Sequence, residues 1–176
     1  TKYPSGGGDV LMGSITTCDQ ALHMRIKLCH MRLGLGVGAN DVELVLRSLP
    51  SIALRYHAHD KTARVLAQAL QRQSAVVQVL HPALAHSPGH AHWQQVCGAA
   101  QDGLGAAAGI FSFVLDPRFN QDTVDALCNR LQWFRLGYSW GGHMSLVMPY
   151  DLDDMRHHGR GAVAAGRLVR LCIGLE

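Results

Sequence analysis

Three short stretches carry side chains able to do chemistry. RLVRLCIGLE places Arg167 and Arg170 in an otherwise apolar run. On a strand their spacing sends them to opposite faces, so one can be solvated while the other looks into a covered site. A guanidinium in such a site suits a carboxylate held by two parallel hydrogen bonds. YSWGGHMSL packs Ser139, Trp140, Gly141 and Gly142 into a sharp turn after a strand, where backbone amides and a hydroxyl can converge on a small ligand. The third stretch, TKYPSGGG, sets a lone lysine, Lys2, between Thr1 and Tyr3 ahead of three consecutive glycines. By itself that lysine reads as an exposed terminal residue.

Other stretches that invite a chemical reading give less. Of the 11 histidines, eight cluster in HAHDK, HPALAHSPGHAH and MRHH, and His57 with His59, or His90 with His92, could share an ion on extended backbone. No cysteine pair or carboxylate stands at ligand spacing beside them, and i,i+2 positions on a helix diverge. Exposed or capping histidines are expected and no metal site. GLGVG, residues 34 to 38, follows a helix instead of a strand, so its amides are not aimed at a phosphate and it reads as a connector. The net charge of +3, from 16 basic and 13 acidic residues, includes no block dense enough to track a phosphate backbone, which argues against nucleic acid. No run of 18 apolar residues indicates a membrane span. Cys18, Cys29, Cys97, Cys128 and Cys172 are odd in number, far apart and set in apolar segments. Reduced, buried thiols in a reducing compartment are expected, hence the cytoplasm.

These residues must be positioned by an α/β fold. DVLMGSITT, residues 9 to 17, reads as a strand, and CDQALHMRIKLCHMRLG as a helix stopped by glycine. Asn40 and Glu43 have the spacing of a capping box for the next helix. Pro50 breaks that helix near Leu49 and makes two in series. SAVVQVLHP, GIFSFVLDP, WFRLGYSW and RLVRLCIGL then read as strands, with HAHWQQVCGAA and NQDTVDALCNRL as helices and DLDDMRHH as a short helix or turn between the last strands. The expected architecture is a largely antiparallel sheet with helices on one face. The break near residue 49 separates the tail of one domain, residues 1–49, from most of another, residues 50–176. Only 16% of residues are charged and 48% are apolar, against about a quarter charged in an ordinary soluble domain. Such a surface is expected to be covered.

Taken in order, TKY, LRSLPSIALRYHAHDKTA, YSWGG and RLVRLCIGLE resemble the Cys/Met-metabolism family of pyridoxal-phosphate enzymes, and the similarity runs through essentially the whole chain. The resemblance implies the C-terminal half of a fold-type I transferase of the aspartate aminotransferase kind. Residues 1–49 would end the large, cofactor-binding domain and residues 50–176 would form the small C-terminal domain. Within the family, SWGG in place of SLGG is similar to the bacterial cystathionine β-lyases. After TKY, PSGGG stands where the family usually carries an apolar residue, one further residue and then Gly-His-Ser or close to it, and Met144 stands where it carries a glutamate.

The family assigns roles by position. Lys2 matches the lysine that carries pyridoxal 5′-phosphate and moves the substrate proton, and Thr1 matches a residue whose hydroxyl contacts the cofactor phosphate. Arg170 matches the binder of the substrate α-carboxylate, and Ser139 and Trp140 match residues lining the same pocket. The implied reaction is β-elimination of cystathionine to homocysteine, pyruvate and ammonia, in transsulfuration and methionine biosynthesis. Cystathionine γ-synthase, γ-lyase or sulfhydrylase activity stays open, as does a noncatalytic remnant or interaction module. The implied partners are a sulfur-containing amino acid, the N-terminal half of the same enzyme, and further copies in a homodimer or homotetramer.

Overall fold

In the computed structural model, residues 1–98, 105–155, 159 and 161–176 are described. The chain opens with one helical turn, α1 (Lys2–Ser5), and continues through α2 (Gln20–Arg32) and α3 (Ala39–Ser48). A 3-10 turn (Leu49–Ser51) leads into α4 (Ile52–Gln71), β1 (Val76–Leu80), α5 (His90–Cys97), β2 (Ile110–Leu115) and α6 (Gln121–Arg130). Then follow β3 (Arg135–Leu136), β4 (Leu146–Tyr150), α7 (Leu152–Met155) and β5 (Arg167–Cys172). The strands form one sheet in the order β1-β2-β5-β4-β3. β1–β2, β2–β5 and β4–β5 are antiparallel and β3–β4 is parallel.

Alternation along the strands gives the sheet two different faces. Phe113, Val169, Leu171 and Val147 face the core with Ala63 and Ala67 of α4 and Val124 and Cys128 of α6. Small residues on α4 let that helix lie close to the sheet, and the buried aliphatic and aromatic area supplies the main stabilising term. The opposite face carries Arg170, paired in register with Ser112 on one side and Met148 on the other. The sheet thus has one face packed under α4 and α6 and another that carries Arg170.

Several expectations need correction. Residues 9–17 form no strand; Leu11 and Ile15 are 91% and 74% exposed. No neighbouring strand within the described residues offers them a hydrogen-bond ladder. The capping box does not form, because Gly38 caps α3 and Asn40 lies inside it, while Glu43 pairs with Arg47 at 3.5 Å. WFRLGYSW contributes only the two residues of β3. β4 was hidden by Pro149, which ordinarily marks an edge; here β3 pairs only with Leu146 and Val147, so the proline nitrogen lies beyond that ladder. His59 and His81 are fully buried instead of exposed, and Cys18, Cys29 and Cys97 are exposed instead of buried. His157, His158 and the end of HAHWQQVCGAA lie outside the described residues. The break at Pro50 is present as the 3-10 turn.

That break has a structural use. Arg55, one turn into α4, donates from Nη1 to the Tyr3 carbonyl at 2.7 Å. Its Nη2 reaches the Ser48 carbonyl and hydroxyl, each at 3.0 Å, and its Nε reaches the Ser51 hydroxyl at 3.0 Å. Gly6, at φ 71°, closes α1 beside this cluster. A Cβ there would stand 2.7 Å from the Ser48 hydroxyl and 2.9 Å from the guanidinium carbon. One guanidinium therefore ties the lysine-bearing turn to the junction of α3 and α4. Replacing Arg55 by Met is expected to cost about 1.5–3 kcal/mol in a denaturant titration, the usual range for hydrogen bonds to a charged group; a loss under about 0.5 kcal/mol would show that the clamp holds nothing.

Candidate active site

Lys2 is aimed by the residue beside it. The Tyr3 ring packs against Tyr56 and His59, with centroids 5.1 and 5.5 Å apart, and its hydroxyl accepts from the Gly109 N–H at 2.9 Å. Burial pushes the Tyr3 phenol up to about 12, so it stays neutral. His59 is seated by the Ile173 carbonyl, 2.6 Å from Nδ1, and burial lowers its pKa. With Tyr3 seated in this way, the adjacent Lys2 lies against the SWGG turn. Its Nζ donates to the Ser139 hydroxyl at 3.2 Å and lies 4.6 Å from the centre of the Trp140 ring. Among the described residues Lys2 forms no ion pair.

The SWGG turn can meet the lysine only because glycine follows the tryptophan. Gly141 has φ 75°, and a Cβ on it would stand 2.9 Å from the Tyr3 nitrogen and 3.0 Å from the Lys2 carbonyl carbon. Backbone thus packs on backbone, leaving Ser139 and Trp140 beside the amine. Below the turn, the Gly141 N–H donates to the buried Cys172 Sγ at 3.4 Å. Burial raises the Cys172 thiol pKa, which keeps it neutral and suited to this packing.

Arg170 completes the group from β5. Its Nη2 donates to the Gly137 carbonyl at 3.1 Å, and its guanidinium carbon lies 5.8 Å from the Trp140 ring centre and 5.7 Å from that of Tyr150. Arg167 goes elsewhere, pairing with Asp151 at 2.7 Å. The two arginines therefore divide as alternation allows, and Arg170 is the one beside the turn. Lys2, Ser139, Trp140 and Arg170 share contacts and are all partly buried. Thr1 stands apart from these contacts: its hydroxyl donates to the Val10 carbonyl and accepts from the Met12 N–H.

Residues that the sequence did not single out support the group. Arg55 and Cys172 lie within stretches already quoted, yet their partners are distant in the chain and no spacing reveals them. Tyr150 sits on the strand that Pro149 concealed. Among the described residues no group of three or more His, Cys, Asp or Glu could hold a metal ion, and no helix is long and apolar enough to cross a membrane.

The arrangement can hold an aldehyde-bearing cofactor. A primary amine without a carboxylate partner can condense with a carbonyl, the Trp140 face borders the space beside it, and a guanidinium near the same ring can receive an anion.

The comparisons with known proteins agree with this chemistry. Residues 1–176 match the family described as Cys/Met metabolism PLP-dependent enzyme. A cystathionine beta-lyase of Bordetella avium is 35% identical over 176 residues, covering 100% of this chain and 42% of that relative. A cystathionine gamma synthase of Xanthomonas oryzae pv. oryzae, solved with aminoacrylate and cysteine, superposes with a TM-score of 0.79 at 29% identity, over 99% of this chain and 44% of that one. An apo methionine gamma lyase of Micromonospora echinospora does so with a TM-score of 0.75 at 30% identity, over 99% and 43%. The chain spans less than half the length of these relatives and aligns with the C-terminal half of the curated ones. Since the match extends from the first residue to the last and the solved relatives share the fold, this chain belongs to the Cys/Met metabolism family of pyridoxal-phosphate-dependent enzymes.

Proposed function

We propose that the protein of which this chain is a part is a carbon–sulfur lyase that converts cystathionine and water to homocysteine, pyruvate and ammonia. The observation that carries the reading is that the Lys2 amine and the Arg170 guanidinium, from opposite ends of the chain, both face the Trp140 ring. Pyridoxal phosphate, when bound, supplies an electron sink that acidifies the substrate α-proton and lets a β-substituent leave. Lys2 tethers it and then moves the α-proton at Nζ. The Ser139 hydroxyl accepts from that amine and holds its position. Arg170 binds the α-carboxylate, with Nη2 already engaged by Gly137 and the remaining N–H groups of its fork open to a ligand. Trp140 lines the space that both groups border.

In the same reading, residues 1–49 end the cofactor-binding domain, residues 50–176 are the small domain, and Thr1 meets the cofactor phosphate by turning its hydroxyl proton to it from the Val10 carbonyl. The enzyme works in the cytoplasm as a homodimer or homotetramer whose other half contributes the rest of the cofactor site. β-Elimination is preferred over γ-chemistry because of the SWGG turn and the cystathionine beta-lyase relative at 35% identity. The solved neighbours, a gamma synthase and a methionine gamma lyase, favour γ-elimination or γ-replacement as the second reading.

Three outcomes are expected from the full-length protein. With L-cystathionine it releases pyruvate and homocysteine; 2-oxobutyrate and cysteine would instead select the γ reading. Treatment with pyridoxal phosphate and borohydride leaves a stable pyridoxyl group on Lys2 in the peptide map, and Lys2→Arg abolishes it while lowering kcat about 10³-fold, within the range for loss of a general acid–base. Arg170→Lys lowers kcat/KM about 10- to 100-fold, chiefly through KM, with cofactor binding retained. An unchanged KM would remove Arg170 from carboxylate binding.

A further inference from the structure

The register of β4 against β5 places one more ring at the site. Met148 pairs with Arg170 and Tyr150 with Leu168, so Tyr150 and Arg170 lie on the same sheet face as diagonal neighbours. An aromatic and a long side chain can meet at that separation. They do: the guanidinium carbon is 5.7 Å from the Tyr150 ring centre, within cation–π range. Tyr150 is in turn met edge-on by Tyr138, with centroids 6.4 Å apart and planes at 69°.

We infer that Tyr150 is a positioning residue for substrate recognition, holding the Arg170 guanidinium in the orientation that receives a carboxylate. This rests on Arg170 being the carboxylate binder. An arginine has a long flexible stem, and a fork left to swing loses the geometry that makes two parallel hydrogen bonds possible. Two of the restraints on Arg170, the Gly137 carbonyl and the Trp140 face, come from the segment between β3 and β4. Tyr150 instead comes from a strand laddered to β5 itself, so its ring keeps a fixed place relative to the Arg170 backbone. The substrate class it favours is an α-amino acid with a free carboxylate, over the corresponding amine.

The test uses the full-length protein loaded with pyridoxal phosphate, titrated by absorbance with glycine and with methylamine, which lacks the carboxylate. Tyr150→Met should raise the glycine dissociation constant about three- to fivefold and leave that of methylamine unchanged, and Tyr150→Phe should restore glycine binding to within about twofold. Tyr150→Leu is a second ring-free variant should the Met variant not fold. Arg170→Lys is titrated alongside. If it weakens glycine while the ring-free Tyr150 variants do not, the inference is overturned and the Arg170 assignment stands. If Arg170→Lys leaves glycine unchanged, the assignment and the inference fall together. Equal weakening of glycine and methylamine by Tyr150→Met would mean general damage to the site, and would also overturn the inference.

Discussion

The candidate site depends on one guanidinium that takes no part in the proposed chemistry. Arg55 fastens the Tyr3 carbonyl to the Ser48 and Ser51 corner, and so fixes a four-residue helical turn that could not hold its shape alone. The break at Pro50 makes this possible, since a continuous helix would carry Ser48 and Ser51 past the turn without forming a corner. With α1 fixed and the Tyr3 ring anchored by Gly109, His59 and Tyr56, the Lys2 amine has a defined direction. An amine proposed for catalysis is useful only if its approach is constrained, and here the constraint comes from its neighbours in space.

The other members of the group are placed by the sheet. One face is filled by α4 and α6 and supplies the stability; the other carries Arg170, Tyr150 and Cys172 toward the SWGG turn. Rigid ladder hydrogen bonds position the guanidinium, and a glycine-dependent turn brings Ser139 and Trp140 over the lysine. Trp140 is the common wall for two cations. Like charges brought near one another repel, and an indole face turned to each offsets part of that cost.

α2 shows where this chain's own contacts end. None of its residues is buried, and Leu11 and Ile15 before it stand open. A helix of that length is marginal without packing. The family relatives are more than twice as long as this chain, which accords with the low charged fraction.

Much of the element order was legible in the sequence, as were the candidates for the chemical group. Periodicity located α2, α4, α6 and the strands β1, β2 and β5, Pro50 located the helix break, and TKY, YSWGG and RLVRLCIGLE located Lys2, Ser139, Trp140 and Arg170. These are local signals, written in neighbouring residues. Folding in three dimensions settled the rest: that β4 exists despite Pro149, that residues 9–17 do not pair as a strand here, and that Arg55, Cys172 and Tyr150 stand beside the group. Each of those depends on a partner far away in the chain: a ladder, a buried carbonyl or a ring brought close by folding. Spacing along one segment carries no information about what another segment places opposite it.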